Sequence, residues 1–130
     1  MTDRGSVESY RDLEVWQRGI VLVERVYAVT DDFPDREQYE LTSQLRRAVV
    51  AIPSNIAEGW GYSSRDQYVY YLEQARSSLL EVETQIIIAE RLSYVTEETR
   101  YVTEETREEL LEQTTVESKM LLSLMRSLQS

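Results

Sequence analysis

Between Arg47 and Glu58, ten consecutive positions carry no charge, in a chain that is 29% charged. The surrounding segment 44–59, QLRRAVVAIPSNIAEG, reads as a helix with no face made for water. A helix that is apolar or small all round is ordinarily buried all round. A chain of 130 residues is about one domain, so such a helix points to subunits that cover one another. At 100° per residue Leu41, Leu45, Ala48, Val49, Ile52 and Ile56 fall within about 40° of one direction and form a core face. The opposite side carries Ser43, Arg47, Val50, Ala51, Ser54, Ala57 and Glu58. Small residues there permit close approach by another helix, in cis or in trans. Pro53 removes one backbone hydrogen bond and crowds the preceding turn, which predicts a kink rather than a break.

With only four Gly and two Pro in the chain, long helices are favoured over many short strands. Segments 12–30, 36–59, 64–92 and 103–129 read as four helices. Asp12 is placed to cap the first, in which Leu13, Trp16, Ile20, Val23 and Tyr27 make a stripe that Val15, Leu22, Val26 and Val29 widen. Asp31, Asp32 and Pro34 end it. Gly59 and Gly61 end the second helix, and Ser64 with Gln67 has capping-box spacing for the third. Tyr68, Leu72, Ala75, Leu79, Val82, Ile86 and Ala89 then repeat at alternating spacings of 4 and 3, a heptad seam. Leu80 and Ile87 lie off that seam. The last helix carries Leu110, Leu111, Val116, Met120, Leu121, Leu124, Met125 and Leu128.

Residues 94–107 contain YVTEETR twice in succession. Seven residues are nearly two helical turns, so a copy inserted in a helix rotates the downstream residues by only about 20°. Each copy offers a Thr cap followed by two Glu, so the fourth helix starts at Thr96 or Thr103. Thr103 matches the length of the third helix better and leaves the first copy as a connector. Short connections between the helices imply an all-α, antiparallel, up-down-up-down four-helix bundle over residues 11–130, preceded by a flexible segment 1–10.

The absence of Cys excludes disulfides and thiolate metal sites. No apolar run approaches 18 residues, so no membrane span is expected, and the N-terminal stretch lacks the apolar core of a signal peptide; cytoplasmic is the expected address. A net charge of −10 opposes attraction to phosphate backbones and anionic membranes. Thirteen of the fourteen basic residues are Arg, which suits carboxylate pairing as much as nucleic acid. With no His and no Cys the common general base, imidazole ligand and thiolate nucleophile are missing, so no catalytic residue, metal or cofactor is expected. Gly59-Trp60-Gly61 follows a helix and lacks the rest of a phosphate-loop fingerprint.

Two candidate sites emerge. Arg47 and Glu58 lie eleven residues apart, on one side of the second helix and about 16 Å from each other, too far to pair. Glu81 or Glu83 is an expected partner for Arg47 and Arg76 for Glu58, with Asn55 bonding carbonyls freed by Pro53. Together with Ser54 these residues form an expected polar network at a helix or subunit interface, the alternative being a ligand or nucleic-acid pocket lined by Arg46, Arg47, Asn55 and Glu58. A second set, Arg46, Trp60, Tyr62 and Arg65, with Tyr68, Tyr70 and Tyr71 close by, offers stacking surfaces and positive charge for single-stranded nucleic acid. The alternative is an aromatic plug for the bundle end.

The segments LEVWQRGIVLVERVY, FPDREQYELTSQLRRAVVAIPSNIAEGWG and YLEQARSSLLEVETQIIIAERLSYV occur here in that order. They resemble the small bacterial four-helix bundle proteins first associated with intervening sequences in large-subunit ribosomal RNA genes. The resemblance covers about residues 10–130, less the extra heptad, and implies a ring-like homopentamer. It also extends to a group that serves as accessory proteins of diversity-generating retroelements, where a basic surface helps to engage nucleic acid and a reverse transcriptase. This chain departs from that group in its net acidity. The expected function is a non-enzymatic structural or adaptor homo-oligomer, with a nucleic-acid-associated accessory protein as the alternative.

Overall fold

The computed structural model describes residues 7–92 and 102–129, which form four α-helices and no strand. They are α1 (Glu14–Thr30), α2 (Leu41–Trp60), α3 (Arg65–Arg91) and α4 (Glu104–Gln129). The first YVTEETR copy, residues 94–100, and the alternative helix start at Thr96 lie outside the described residues. Helix α2 packs against α1 and α3, and α4 closes the square against α3 and α1; among the described residues the Cα atoms of the diagonal pairs stay more than 8 Å apart. Leu13 before α1, Trp60 at the end of α2, Ser64 before α3 and Leu128 near the end of α4 line one cleft. Successive helices therefore run in opposite directions, and the molecule is an all-α four-helix bundle.

The first helix differs from its sequence reading in two respects. Asp12 does not cap it: Ser9 and Asp12 form a reciprocal capping box around a 3₁₀ turn at Tyr10–Asp12, and α1 starts after Leu13 with no side-chain cap. Residues 7–10, expected within a flexible segment, are tied down by that box and by Val7 packing into the cleft. Its buried stripe is Val15, Gly19, Leu22, Val26 and Thr30, so the widening residues Val15, Leu22 and Val26 take the centre and the line through Leu13, Trp16, Ile20, Val23 and Tyr27 lies about 100° to one side at 100° per residue. Leu13, Trp16, Val23 and Val29 flank the core, and Tyr27 is exposed. The centre of the stripe is set by where α2 and α4 stand, and the notch at Gly19 lets them come close.

Helix α2 begins at Leu41, five residues later than expected, because Pro34 starts a separate 3₁₀ turn at Asp35–Glu37. All six residues of its expected core face are buried, joined by Thr42, Pro53 and Gly59. The helix passes through Pro53 without a break, although Pro53 has no N–H to offer the Val49 carbonyl. Gly59 does not end it. The residue lies inside the last turn, and a Cβ there would stand 2.9 Å from Tyr71 Cβ and 3.0 Å from Tyr68 Cδ1. Its role is close passage of α3, and no glycine in the described chain has positive φ.

In α3 the heptad seam from Leu72 to Ala89 is buried, Val69 joins it and Tyr68 is half-buried. Ser64 caps the helix, its hydroxyl accepting from Gln67 N (3.4 Å). At α4 the Thr103 hydroxyl accepts from the Thr106 backbone N–H (3.1 Å), and Val102, from the second repeat copy, is buried in the core. The buried positions of α4 are Leu110, Thr114, Glu117, Leu121, Met125 and Leu128. Two of the six are polar, and one is ionisable.

Substituting Gly59→Ala tests the close passage. The added methyl meets backbone-anchored atoms of α3, so urea unfolding should show a loss of about 1–3 kcal/mol, the usual cost of overpacking.

Candidate functional site

Arg47, Ser54 and Glu58 share the outward side of α2 and are exposed, with Val50 exposed between them and Ala51 and Ala57 at its margins. The expected network across helices is not assembled within one chain. Arg47 has no ion-pair partner among the described residues. Glu81 is exposed on α3. Glu83 faces α4 instead, where it accepts from the Thr114 hydroxyl (2.7 Å). Arg76 also turns to α4, donating Nε–H to Ser118 Oγ (3.1 Å). The heptad spacing of residues 76, 83 and 90 explains this, since all three lie on the α4-facing flank, and Glu90 there approaches Arg107 (3.6 Å).

Glu58 meets a tyrosine pair in place of Arg76. The Tyr71 phenol lies between Tyr62 (Oη to Oη 3.4 Å) and the Glu58 carboxylate. Hydrogen bonding with Tyr62 and then with Glu58 raises its pKa above the ordinary tyrosine value. Asn55 does bond a carbonyl, donating Nδ2–H to Ala51 O (2.8 Å). That is one turn back from Asn55 itself, whereas the carbonyl that Pro53 leaves without its helical partner belongs to Val49.

The second candidate set divides. Trp60, Tyr62 and Arg65 line a cleft of about 690 Å³ at one end of the bundle, with Tyr68, Ser63 and Ser64 among its other polar-tipped walls and Leu13, Leu124 and Leu128 forming its floor. Trp60 meets Tyr68 edge-on at 6.3 Å, and Tyr62 stacks on Tyr71 at 5.3 Å. Arg46 is not part of it. Near the opposite end of α2, it donates Nε–H to Thr30 Oγ1 (2.8 Å) and pairs with Asp31 (2.8 Å). Its guanidinium also covers the Tyr27 ring at 4.5 Å. These contacts clamp α2 onto the C-terminal end of α1, where a cation also suits the helix dipole.

One buried group escaped the sequence reading. Glu117 on α4 is 1% exposed, and neither carboxyl oxygen has a hydrogen-bond partner among the described residues. Burial pushes its pKa from 4.5 up to about 8; Arg18 on α1 opposes that rise and Glu14 adds to it. A signal existed: positions 110, 114, 117, 121, 125 and 128 recur at helical spacing, so Glu117 occupies an apolar position of the stripe. Among the described residues, no group of three or more acidic side chains is placed to hold a metal ion, and no helix is long and apolar enough to cross a membrane.

The fold and its surfaces define a small helical bundle with an uncovered small-residue face on α2 and an aromatic cleft at one end. Residues 11–123 match the model of the 23S rRNA-intervening sequence protein family. The chain belongs to that family. Among curated proteins, none matches it at a significant level.

The assignment of Arg46 to the fold rather than to a ligand surface predicts the outcome of Arg46→Ala. Losing a charge-assisted pair and its bond to a buried hydroxyl should lower unfolding stability by about 1–3 kcal/mol, measured by urea unfolding at neutral pH.

Proposed function

We propose that this protein is a non-enzymatic, self-assembling bundle that acts as a structural or adaptor component, its copies joined through the outward face of α2. The observation that carries the reading is the composition of that face. Val50 is 39% exposed, Ala51, Ser54 and Ala57 offer no long side chain to obstruct a neighbour, and Arg47 lacks an intramolecular ion pair among the described residues. A face of this kind is poorly suited to water and well suited to close helix contact. Glu73 and Glu81, exposed on α3, are acidic partners that an adjacent copy offers to Arg47. The copy number that the family resemblance implies is five.

Sedimentation equilibrium tests this on the full chain. The wild type should sediment as a multiple of one chain, and the double variant V50E/S54E should fall to the mass of a single chain while keeping its helical circular dichroism. A wild type that is monomeric at all concentrations would overturn the assembly.

A second reading rests on the convergence of Trp60, Tyr62 and Arg65 on one cleft. Aromatic faces with one cation suit stacked bases, and the family takes its description from ribosomal RNA. On this reading the protein is a nucleic-acid-associated accessory factor, acting against its own net charge of −10. Fluorescence anisotropy with labelled single-stranded RNA at low salt is the check: binding that W60A and R65A weaken at least tenfold supports the accessory role, and no binding at micromolar protein removes it.

A further inference from the structure

The interior of a four-helix bundle is a poor place for an anion. Glu117 is nevertheless 1% exposed, on the α4 stripe between Thr114 and Leu121. The neighbouring polar groups have settled elsewhere. Thr114 gives its hydroxyl proton to Glu83, and Arg76 is bound to Ser118. On the other side, a methyl group placed on Gly19 would stand 3.4 Å from Glu117 Oε2 and 3.4 Å from Pro53 Cβ. The carboxyl group thus fills a notch between the backbone of α1 and the proline ring of α2, and neither surface offers it a donor.

The charged groups that face this position do not compensate it. From α1 the relevant pair is Arg18 and Glu14, bound to each other at 3.2 Å and both well exposed; Arg18 lowers and Glu14 raises the Glu117 pKa, each by less than burial raises it. From α3 come one anion, Glu83, and one cation, Arg76, each held by a hydroxyl of α4. From α2 the facing group is Pro53; Arg46 is engaged by Thr30 and Asp31, Arg47 points outward, and Glu58 lies beside Tyr71. On α4 itself Lys119 and Glu112 are exposed. A carboxylate without donors in such a site is far costlier than a neutral acid, so the group keeps its proton.

We infer that Glu117 is an interior proton-holding site: native packing of α1, α2 and α4 requires its neutral acid form, so the bundle takes up a proton when it folds and is weakened as the medium turns alkaline. The direction follows from linkage. Below the unfolded pKa of 4.5 both states carry the proton and the native packing keeps its full stability. As pH rises toward the native value of about 8 the unfolded chain alone releases the proton, and the folding equilibrium constant drops by about tenfold per pH unit. Above that value the loss is complete and the profile flattens.

Urea unfolding of the full chain at fixed concentration, followed by circular dichroism at a series of pH values, compares wild type with E117Q and E117M. The ratio of wild-type to E117Q folding constants should fall about tenfold per unit between about pH 5 and pH 8, and E117Q should be the more stable protein at the alkaline end. Parallel profiles for wild type and E117Q would overturn the inference, as would a less stable E117Q at the alkaline end. Should E117Q fail to fold, E117M is read by the same criteria. Carboxyl ¹³C titration of wild type labelled at glutamate gives an answer that depends on no variant. One carboxyl with its midpoint above about pH 6 supports the site, and all midpoints below about pH 6, the ordinary glutamate range, overturn it.

Discussion

The bundle depends on how closely its second helix stands to both of its neighbours. At Gly19 the backbone of α1 comes close to both the Pro53 ring and the Glu117 carboxyl group, and at Gly59 a Cβ would stand 2.9 Å from Tyr71 Cβ and 3.0 Å from Tyr68 Cδ1. These two glycines, on different helices and at different levels, set the spacing at which Val26, Val49, Ile52, Leu79, Val82 and Ile86 become fully buried. Gly59 is the unforgiving point, because a core filled to crystal-like density cannot absorb a methyl 2.9 Å from Tyr71 Cβ without moving a backbone, whereas at Gly19 the nearest atoms stand at 3.4 Å. With α1 on one flank and α3 on the other, α2 has only its third side left to face outward. That side carries Val50, Ala51, Ser54 and Ala57 between Arg47 and Glu58. Its uncharged character is consistent with close packing on the flanks and is not required by it, which is why we connect it to assembly.

Polar groups inside the bundle are handled in contrasting ways. Thr30 donates to the Val26 carbonyl (2.8 Å) and accepts from Arg46, so a buried hydroxyl becomes the anchor of an interhelical clamp. Thr114 is satisfied by Glu83, whose carboxylate is itself only partly buried. Glu117 has neither solution, and neutralisation is the remaining way to lower the cost of its burial. The two ends of the bundle differ chemically as well. One is sealed by Phe33 and Val102 beside the Arg46 clamp, and the other gathers Trp60, Tyr62 and Arg65 around an open cleft.

Much of the fold was legible in the chain. The heptad seam of α3 and the six-residue core face of α2 follow from helical period alone, because a 3.6-residue repeat must place those side chains on one side whatever else is present. Scarcity of Gly and Pro announced long helices, and family membership was carried by three ordered motifs. The orientation of α1 was not legible. Its apolar residues spread over too wide an arc for period to choose a centre, and the choice was made by Gly19 meeting Pro53 and Glu117 on two other helices. Helix starts failed for a related reason. Asp12 and Pro34 are sound local signals, and each serves a short 3₁₀ turn before the helix begins.

The candidate sites show the same division. Sequence by itself determined that the chain is a helical bundle of this family, that α2 carries an uncharged stretch, and which residue types were available for chemistry, since these properties are local or compositional. Tertiary structure alone decided that Arg46 clamps α1 while Trp60, Tyr62 and Arg65 share a cleft. It likewise turned Arg76 and Glu83 toward α4, away from Glu58 and Arg47, and enclosed Glu117. The physical reason is that a side chain's partners depend on the rotation of two helices about their own axes, which no periodicity within a single helix can supply.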